Sequence, residues 1–290
     1  MIKKIMKGEK TMIYLLLAIA SSSMVSICMR LSEKHVKNEM GMFMANYAVC
    51  IALSYGFMNH ALTFSMERPV WIMWLLGIVS GILYLVSFVA MKVNMRYNGI
   101  VLSSTFMKLG ILIPTLMAVL VFREVPKVTQ IVGIGFAIVA ILMINFEKGA
   151  ANEGMKKSWL LGLLILSGFT DAMANIYEQV GSALLKDDYL LVTFIFAFLF
   201  AMLFAVLGKE KVGIKDLLFG MLIGIPNYFS ARFLLLALGS VKAVLVYPMY
   251  CVATIIVVTL AGVTFFREKL SRKKVMALGV IVVALCLMNI

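Results

Sequence analysis

Charge is scarce in this chain. Asp, Glu, Lys and Arg make up 14% of its 290 residues, against roughly 25% in an average soluble domain. That excludes a water-soluble globule. Histidine occurs only at His35 and His60, both near the ends of apolar stretches, so no hydrolytic triad can be assembled around it. The four cysteines (Cys28, Cys50, Cys251, Cys286) all lie inside apolar runs without metal-ligand spacing, and they read as small hydrophobes. There is no His-Glu-x-x-His and no pair of aspartates at an interface, so an intramembrane enzyme is not expected. No cofactor and no metal is expected either. A sensor would carry an attached soluble domain, and no polar stretch is long enough to be one.

What the chain has in excess is hydrophobicity, at 63%. The apolar residues come in blocks of about twenty, the length that crosses a ~30 Å hydrocarbon core as a helix. Ten such blocks are read: 11–29, 41–58, 70–90, 99–122, 128–146, 159–179, 189–207, 217–238, 243–266 and 275–288. Within hydrocarbon, backbone polar groups must be satisfied internally, which favours helices. The expectation is an all-α polytopic membrane protein of the cell membrane. The net charge of +13 is spread over the loops, which suits lipid headgroups better than nucleic acid. Lys3, Lys4, Lys7 and Lys10 before a run ending Ala18-Ile19-Ala20 imitate a cleavable leader. An uncleaved first helix is preferred because the repeat described next requires it.

Phe-Arg-Glu stands at 122–124 and again at 266–268, 144 positions later. At that offset, residues 121–146 and 265–290 agree at seven of 26 positions, including Arg123/Arg267, Glu124/Glu268 and Asn145/Asn289. A second match sets Gly77-x-x-x-Gly81-Ile82 against Gly220-x-x-x-Gly224-Ile225, with Ser87 against Ser230. Small-x-x-x-small spacing lets helix backbones approach closely where lipid gives no hydrophobic drive for association. The chain therefore divides into residues 1–148 and 156–290, each with five spans. Five is odd, so the second unit enters the membrane from the opposite side and the repeats are inverted, a recurrent plan in secondary transporters. The bland role for Phe-Arg-Glu is an aromatic, ion-paired anchor at the membrane interface.

Two five-helix units, each closing with a helix, a short Phe-Arg-Glu turn and an apolar helix, resemble the EamA-type members of the drug/metabolite transporter superfamily. In that family the turn more often reads Gly-Glu, followed by Leu or Pro. Here "FREVP" and "FREKL" keep the Glu but carry Arg123 and Arg267 in place of Gly. The resemblance implies a cavity lined by spans one to four and six to nine, with the fifth and tenth outside. It also implies proton-linked or gradient-driven movement of small metabolites or drugs, often outward.

The polar residues give a pattern of their own. Asp171, Asn175 and Glu178 recur at i, i+4 and i+7 on the sixth span, one helix face. A carboxylate at mid-helix costs ~2.5–3.5 kcal/mol to insert and usually faces a bundle interior or a water-filled cavity. Ser104 and Lys108 share a face of the fourth span, and Tyr228 and Arg232 one of the eighth. Tyr247, Tyr250 and Thr254 share a face of the ninth. Ser80, Tyr84 and Ser87 share one of the third, and Ser23, Ser26 and Arg30 one of the first. The seventh span holds only Thr193, against the resemblance. Two readings stay open for Asp171, Glu178, Lys108 and Arg232. They neutralise each other as buried pairs, or a carboxylate takes up a proton or cation while a cation or aromatic meets the solute. Glu178 is near a span end and is also readable as interfacial. The tyrosines Tyr84, Tyr228, Tyr247 and Tyr250 either stack on an aromatic or cationic solute or pack the interior. Pro114 and Pro226 break helices beside the site or kink them.

Outside the helix centres, a cytoplasmic N-terminus leaves 9 Lys and Arg inside and 16 outside, against the positive-inside rule. The resemblance and the four N-terminal lysines nevertheless place both termini in the cytoplasm. The functional expectation is a secondary transporter of a small metabolite or drug, exporting it, with uptake of a sugar or amine as the competing direction. Its partners are a small solute and lipid, and it is a monomer or a homodimer.

Overall fold

The computed structural model describes residues 2–58, 60–114, 117, 127–145, 157–208, 211–238 and 243–289. The first Phe-Arg-Glu turn, Phe122 to Glu124, lies outside them. Among the described residues the chain is all-helical, without strands. In chain order the helices are α1 (Ile2–Ser32), α2 (Glu39–Phe57), α3 (Arg68–Leu109), α4 (Val128–Asn145), α5 (Lys157–Val180), α6 (Lys186–Leu207), α7 (Ile214–Leu238), α8 (Ala243–Thr264) and α9 (Arg272–Asn289). Among the described residues, six stretches are long and apolar enough to cross a membrane: Met12–Ser32, Glu39–Phe57, Arg68–Pro114, Ser158–Val180, Ala183–Leu207 and Ile214–Leu238. Two shorter apolar stretches, Met249–Thr264 and Val275–Ala284, follow.

Local chemistry sets several boundaries. The Asn38 side chain accepts from the Gly41 N–H at 2.8 Å and so caps α2, satisfying one of the N–H groups that a helix leaves open at its start. Pro69 sits in the first turn of α3, where its missing N–H costs nothing. Ser182 caps the short 3-10 turn Ala183–Leu185 that leads into α6.

The 42 residues of α3 would run about 63 Å as a straight rod, twice the hydrocarbon core. They do not run straight. Gly99 breaks the helix with φ 77° and ψ 170°, a backbone conformation that glycine adopts without steric penalty. The contacts on either side of it show the reversal. Lys92 donates to the Met29 carbonyl and to Ser32, near the end of α1, whereas Lys108 donates to Ser22, well back along it. On α5, Asn94 meets the Trp159 carbonyl and Ser87 meets Thr170, while Met107 beyond the break accepts from Ser167. Residues 68–98 and 100–109 are therefore two arms that run in opposite directions. The first arm contains the block read as 70–90, and the second covers the start of the block read as 99–122, most of whose remainder lies outside the described residues.

The glycine pairs seat the helices. A Cβ on Gly77 would stand 2.7 Å from Val192, and one on Gly81 2.5 Å from the Thr193 carbonyl, both on α6. A Cβ on Gly220 would stand 2.2 Å from the Met42 carbonyl, and one on Gly224 2.6 Å from the Asn46 carbonyl, both on α2. Thus the first arm of α3 lies on α6 and α7 lies on α2, each by the same four-residue step. Elsewhere α1 packs on α7, α3 on α5, and α4 on α9, and α8 touches α1, α3 and α9.

The bundle has two polar ends. At one lie Arg30, the loop 33–38, Gly99 and the turn after α8; at the other lie residues 60–67, residues 181–187 and Arg232. Replacing Gly81 or Gly220 by Ala is expected to lower the melting temperature of the detergent-purified protein, because overpacking typically costs about 1–3 kcal/mol. Gly135→Ala and Gly279→Ala, where nothing lies within 4 Å of an added Cβ, should leave it unchanged. Differential scanning fluorimetry of the four variants checks this.

Candidate functional site

A cavity of about 80 Å³ lies inside the bundle, walled by α1, both arms of α3, α5, α7 and α8. Four of the residues singled out from the sequence face it: Tyr84, Lys108, Asp171 and Tyr250. Around them stand Ser22 and Ser26 of α1, Ser87 and Ser104 of α3, Ser167 and Thr170 of α5, and Asn227 and Ser230 of α7. Phe88, Met91, Met107 and Leu234 form the apolar parts of the wall.

The two charges in this wall are held apart. Lys108 Nζ donates to Ser22 Oγ at 2.9 Å and sits 4.0 Å from the centroid of the Tyr250 ring. A desolvated cation over an aromatic face gains about 2 kcal/mol, so the ammonium is parked on groups other than a carboxylate. Among the described residues no Lys, Arg or His nitrogen lies within ion-pair distance of Asp171. Its charge interacts with that of Lys108 across the cavity, and its oxygens remain open to whatever enters.

The hydroxyls have a bias as well. Ser26 donates to the Ser22 carbonyl at 3.4 Å, Ser104 to the Ile100 carbonyl at 2.7 Å, Ser167 to the Met107 carbonyl at 2.9 Å, and Thr170 to the Leu166 carbonyl at 2.9 Å. A hydroxyl has one proton and two lone pairs. These four spend the proton on helix carbonyls, a habit of Ser and Thr inside helices, and present oxygen to the cavity. Together with Asp171 the wall is rich in acceptors. Lys108 is its charged donor.

Of the other expected residues, four are described away from this wall and one side chain is not described. Tyr228 is fully buried, and its hydroxyl accepts from Arg232 at 2.7 Å. Arg232 also pairs with Asp187 at 2.8 Å and lies over the Phe57 ring at 4.9 Å. This trio ties α7 to α2 and to the start of α6 at one end of the bundle. Glu178 pairs with Lys186 beside the same end. Asn175 is half-buried on α5 and is not among the residues lining the cavity. Tyr247 is on α8, and its side chain lies outside the described ones. The four charges read as possible mutual partners thus do not pair with one another. Arg232 and Glu178 find theirs in Asp187 and Lys186, both in the first turn of α6.

Two corrections concern α1. Ser22 and Ser26, at i and i+4, face the cavity, rather than the stripe Ser23, Ser26 and Arg30. Ser23 Oγ is buried without a partner, and Arg30 reaches the far end, where it pairs with Glu33 and donates to the Met95 carbonyl at 3.0 Å. There burial pushes the Glu33 carboxyl up, although Arg30 and Lys92 pull it the other way. Ser167 and Thr170 were not read as site residues. The signal was present: Ser167 is four positions before Asp171 and so shares its face. Among the described residues, no group of three or more His, Cys, Asp and Glu could hold a metal ion.

No family model matches the chain. An uncharacterized protein of Haemophilus influenzae is 23% identical over 197 residues, 66% of this chain and 67% of that protein. A Lactococcus lactis protein named "Putative sugar uptake protein YxfA" is 23% identical over 233 residues, 75% of this chain and 77% of its own. A solved crystal structure superposes with a TM-score of 0.62 over 97% of both chains at 15% identity, which shows a shared fold. These likenesses and the six apolar helices fit a membrane transporter in general terms.

Proposed function

We propose that this chain is a secondary transporter of the drug/metabolite class, built of ten spans in two inverted five-helix repeats over residues 1–148 and 156–290. The observation that carries the reading is the cavity. A lipid-crossing bundle encloses a polar space whose wall holds one ammonium and one carboxylate that do not pair directly. Burying ions is costly when they are not matched to partners, and a structural pair would close on itself. An open carboxylate in a wetted pocket is the arrangement that a coupling site needs.

The packing supports the inverted arrangement. The third span of each unit lies on the second of the other, through glycines that the repeat aligns. The second arm of α3 runs against α8: Ile100 meets Glu268 beyond the end of α8, and Lys108 meets Tyr250 near its start. Two similar halves of opposite direction can exchange conformations and open one site to alternate sides.

In this reading Asp171 takes up the coupling proton or cation, and Lys108 is its partner or the solute's anchor. Tyr84 and Tyr250 flank the solute. Tyr228 and Arg232 act at one mouth. The resemblance to drug/metabolite exporters gives the outward direction. A second reading, inward movement of a sugar, is favoured by the name of the Lactococcus lactis relative and by the acceptor-rich wall. Sugar hydroxyls can donate to Asp171 and to the back-bonded Ser and Thr oxygens, and accept from Lys108. A solute without net charge also leaves the balance of the wall undisturbed.

Asp171→Asn is expected to abolish gradient-dependent flux in proteoliposomes while the melting temperature in detergent stays within a few degrees of wild type. Coupled flux at the wild-type level in a folded variant removes the assignment. The direction is read in cells expressing the protein, loaded with labelled sugars and with labelled toxic amines. Export predicts lowered accumulation of an amine or metabolite, and uptake predicts raised accumulation of a sugar. No change across the whole panel would count against both.

A further inference from the structure

The arm 100–109 of α3 carries Ser104 and Lys108, and it begins abruptly at Gly99. The first N–H groups of a helix lack partners within it, and the helix dipole makes that end attractive to anions. Here the partners come from the far side of the sequence. The Ile100 N–H donates to Glu268 Oε1 at 2.7 Å, and the Val101 N–H to Glu268 Oε2 at 3.2 Å. Glu268 is the last member of the second Phe-Arg-Glu.

The joint is shaped for this contact from both sides. A Cβ on Gly99 would stand 2.7 Å from Glu268 Oε1, and one on Gly262 2.4 Å from Val101 Cγ2. Glu268 is aimed by a tight turn in which its own N–H donates to the Gly262 carbonyl at 3.0 Å and Arg267 takes φ 52°. On the open side Arg30 Nη2 lies 3.6 Å from Glu268 Oε1, while Arg30 Nη1 holds the Met95 carbonyl. One carboxylate therefore binds the end of α1, the Gly99 reversal and the turn after α8. Eight residues along the arm, about 12 Å of helix, lies Lys108 in the cavity wall.

We infer that Glu268 is a positioning residue of the transport cycle. Its cap fixes the Lys108 arm to the turn after α8 and holds the cavity shut at the Arg30 end, so opening to that side requires the cap to let go. The inference rests on the transporter reading for its purpose, but the joint can be tested without any solute. It also gives the repeated tripeptide a working member. The acid binds a helix start, whereas Arg267 supplies the turn.

The test uses Ser104→Cys as a reporter in a background with the four native cysteines replaced, reconstituted in vesicles. A membrane-impermeant thiol reagent is applied to one face at a time. Glu268→Ala removes the cap, Glu268→Gln keeps an acceptor but loses the charge, and Arg267→Asn keeps a residue that tolerates positive φ. The expected result is labelling from the Arg30 face about tenfold faster in the Ala variant, a smaller rise in the Gln variant, and the wild-type rate for Arg267→Asn. Labelling from the opposite face should not rise. Equal acceleration from both faces would mean a merely loosened fold and would overturn the inference, as would unchanged labelling. If Glu268→Ala does not fold, the Gln variant decides, and its labelling at the wild-type rate counts against the inference. A one-sided rise with no flux of any solute would sustain the joint while sinking the transporter reading.

Discussion

Hydrocarbon offers a polar atom nothing to bind, and that constraint shapes each level of this molecule. It forces the backbone into helices and turns Ser26, Ser104, Ser167 and Thr170 back onto helix carbonyls. At the polar end of the bundle, the Gly99 reversal frees N–H donors at the start of the second arm, and a side chain takes them up. Glu268 is that group. The same constraint gives weight to the polar atoms that it leaves exposed. In water an open carboxylate is unremarked; enclosed by six helical segments, Asp171 is a costly feature that needs a use.

Lipid also removes the hydrophobic drive for one helix to bury itself against another, so contact must come from fit. Gly77 and Gly81 of α3 seat that helix on α6, and Gly220 and Gly224 of α7 seat it on α2, with backbone carbonyls of the partner facing Gly81, Gly220 and Gly224. These seams are tight, and the polar groups within them pair across the joint: Ser80 with Tyr189, and Asn227 with Asn46. The cavity opens instead between helices whose facing residues are Ser, Thr, Asn and Tyr. Small residues thus mark where the bundle is clamped, and the cavity lies between the helices that carry Ser22, Ser26, Ser104, Ser167 and Thr170.

Much of this was legible in the chain. The all-helical, membrane-crossing character follows from runs of apolar residues, although ten spans were read and six stretches among the described residues are long and apolar enough to cross; Asp171, Lys108, Tyr84 and Tyr250 stood out as polar residues within such runs. The glycine pairs announced close seams through their spacing. Other features were not legible, for physical reasons. A reversal at Gly99 depends on one residue's φ, and the sequence Tyr97-Asn98-Gly99 only permits it. The Glu268 cap joins residues 168 positions apart, which no local pattern encodes. Arg232 was read toward the cavity because it shares a face with Tyr228, but an arginine is long enough to leave its own turn. Asp187 and the Phe57 ring drew it to the end of the bundle. Ser22 and Ser23 differ by one position, about 100° of helix, and spacing alone could not choose between them.

The separation of Lys108 from Asp171 bears on how such a cavity could work. Two unit charges 4 Å apart attract by about 4 kcal/mol at an effective dielectric near 20, enough to seal a pocket against a weakly bound solute. Here the ammonium is instead held by Ser22 and by the Tyr250 face, which weakens its claim on the carboxylate without leaving it bare. A donor entering the cavity then meets an acid that it can bind without first breaking an ion pair. The same placement ties the Lys108 arm to α1 and α8 in the membrane interior, while Glu268 ties its start at the surface. A movement that releases the surface tie would shift the arm about its inner one. The charge that helps to set the affinity of the wall rides on the very segment that must move to open it.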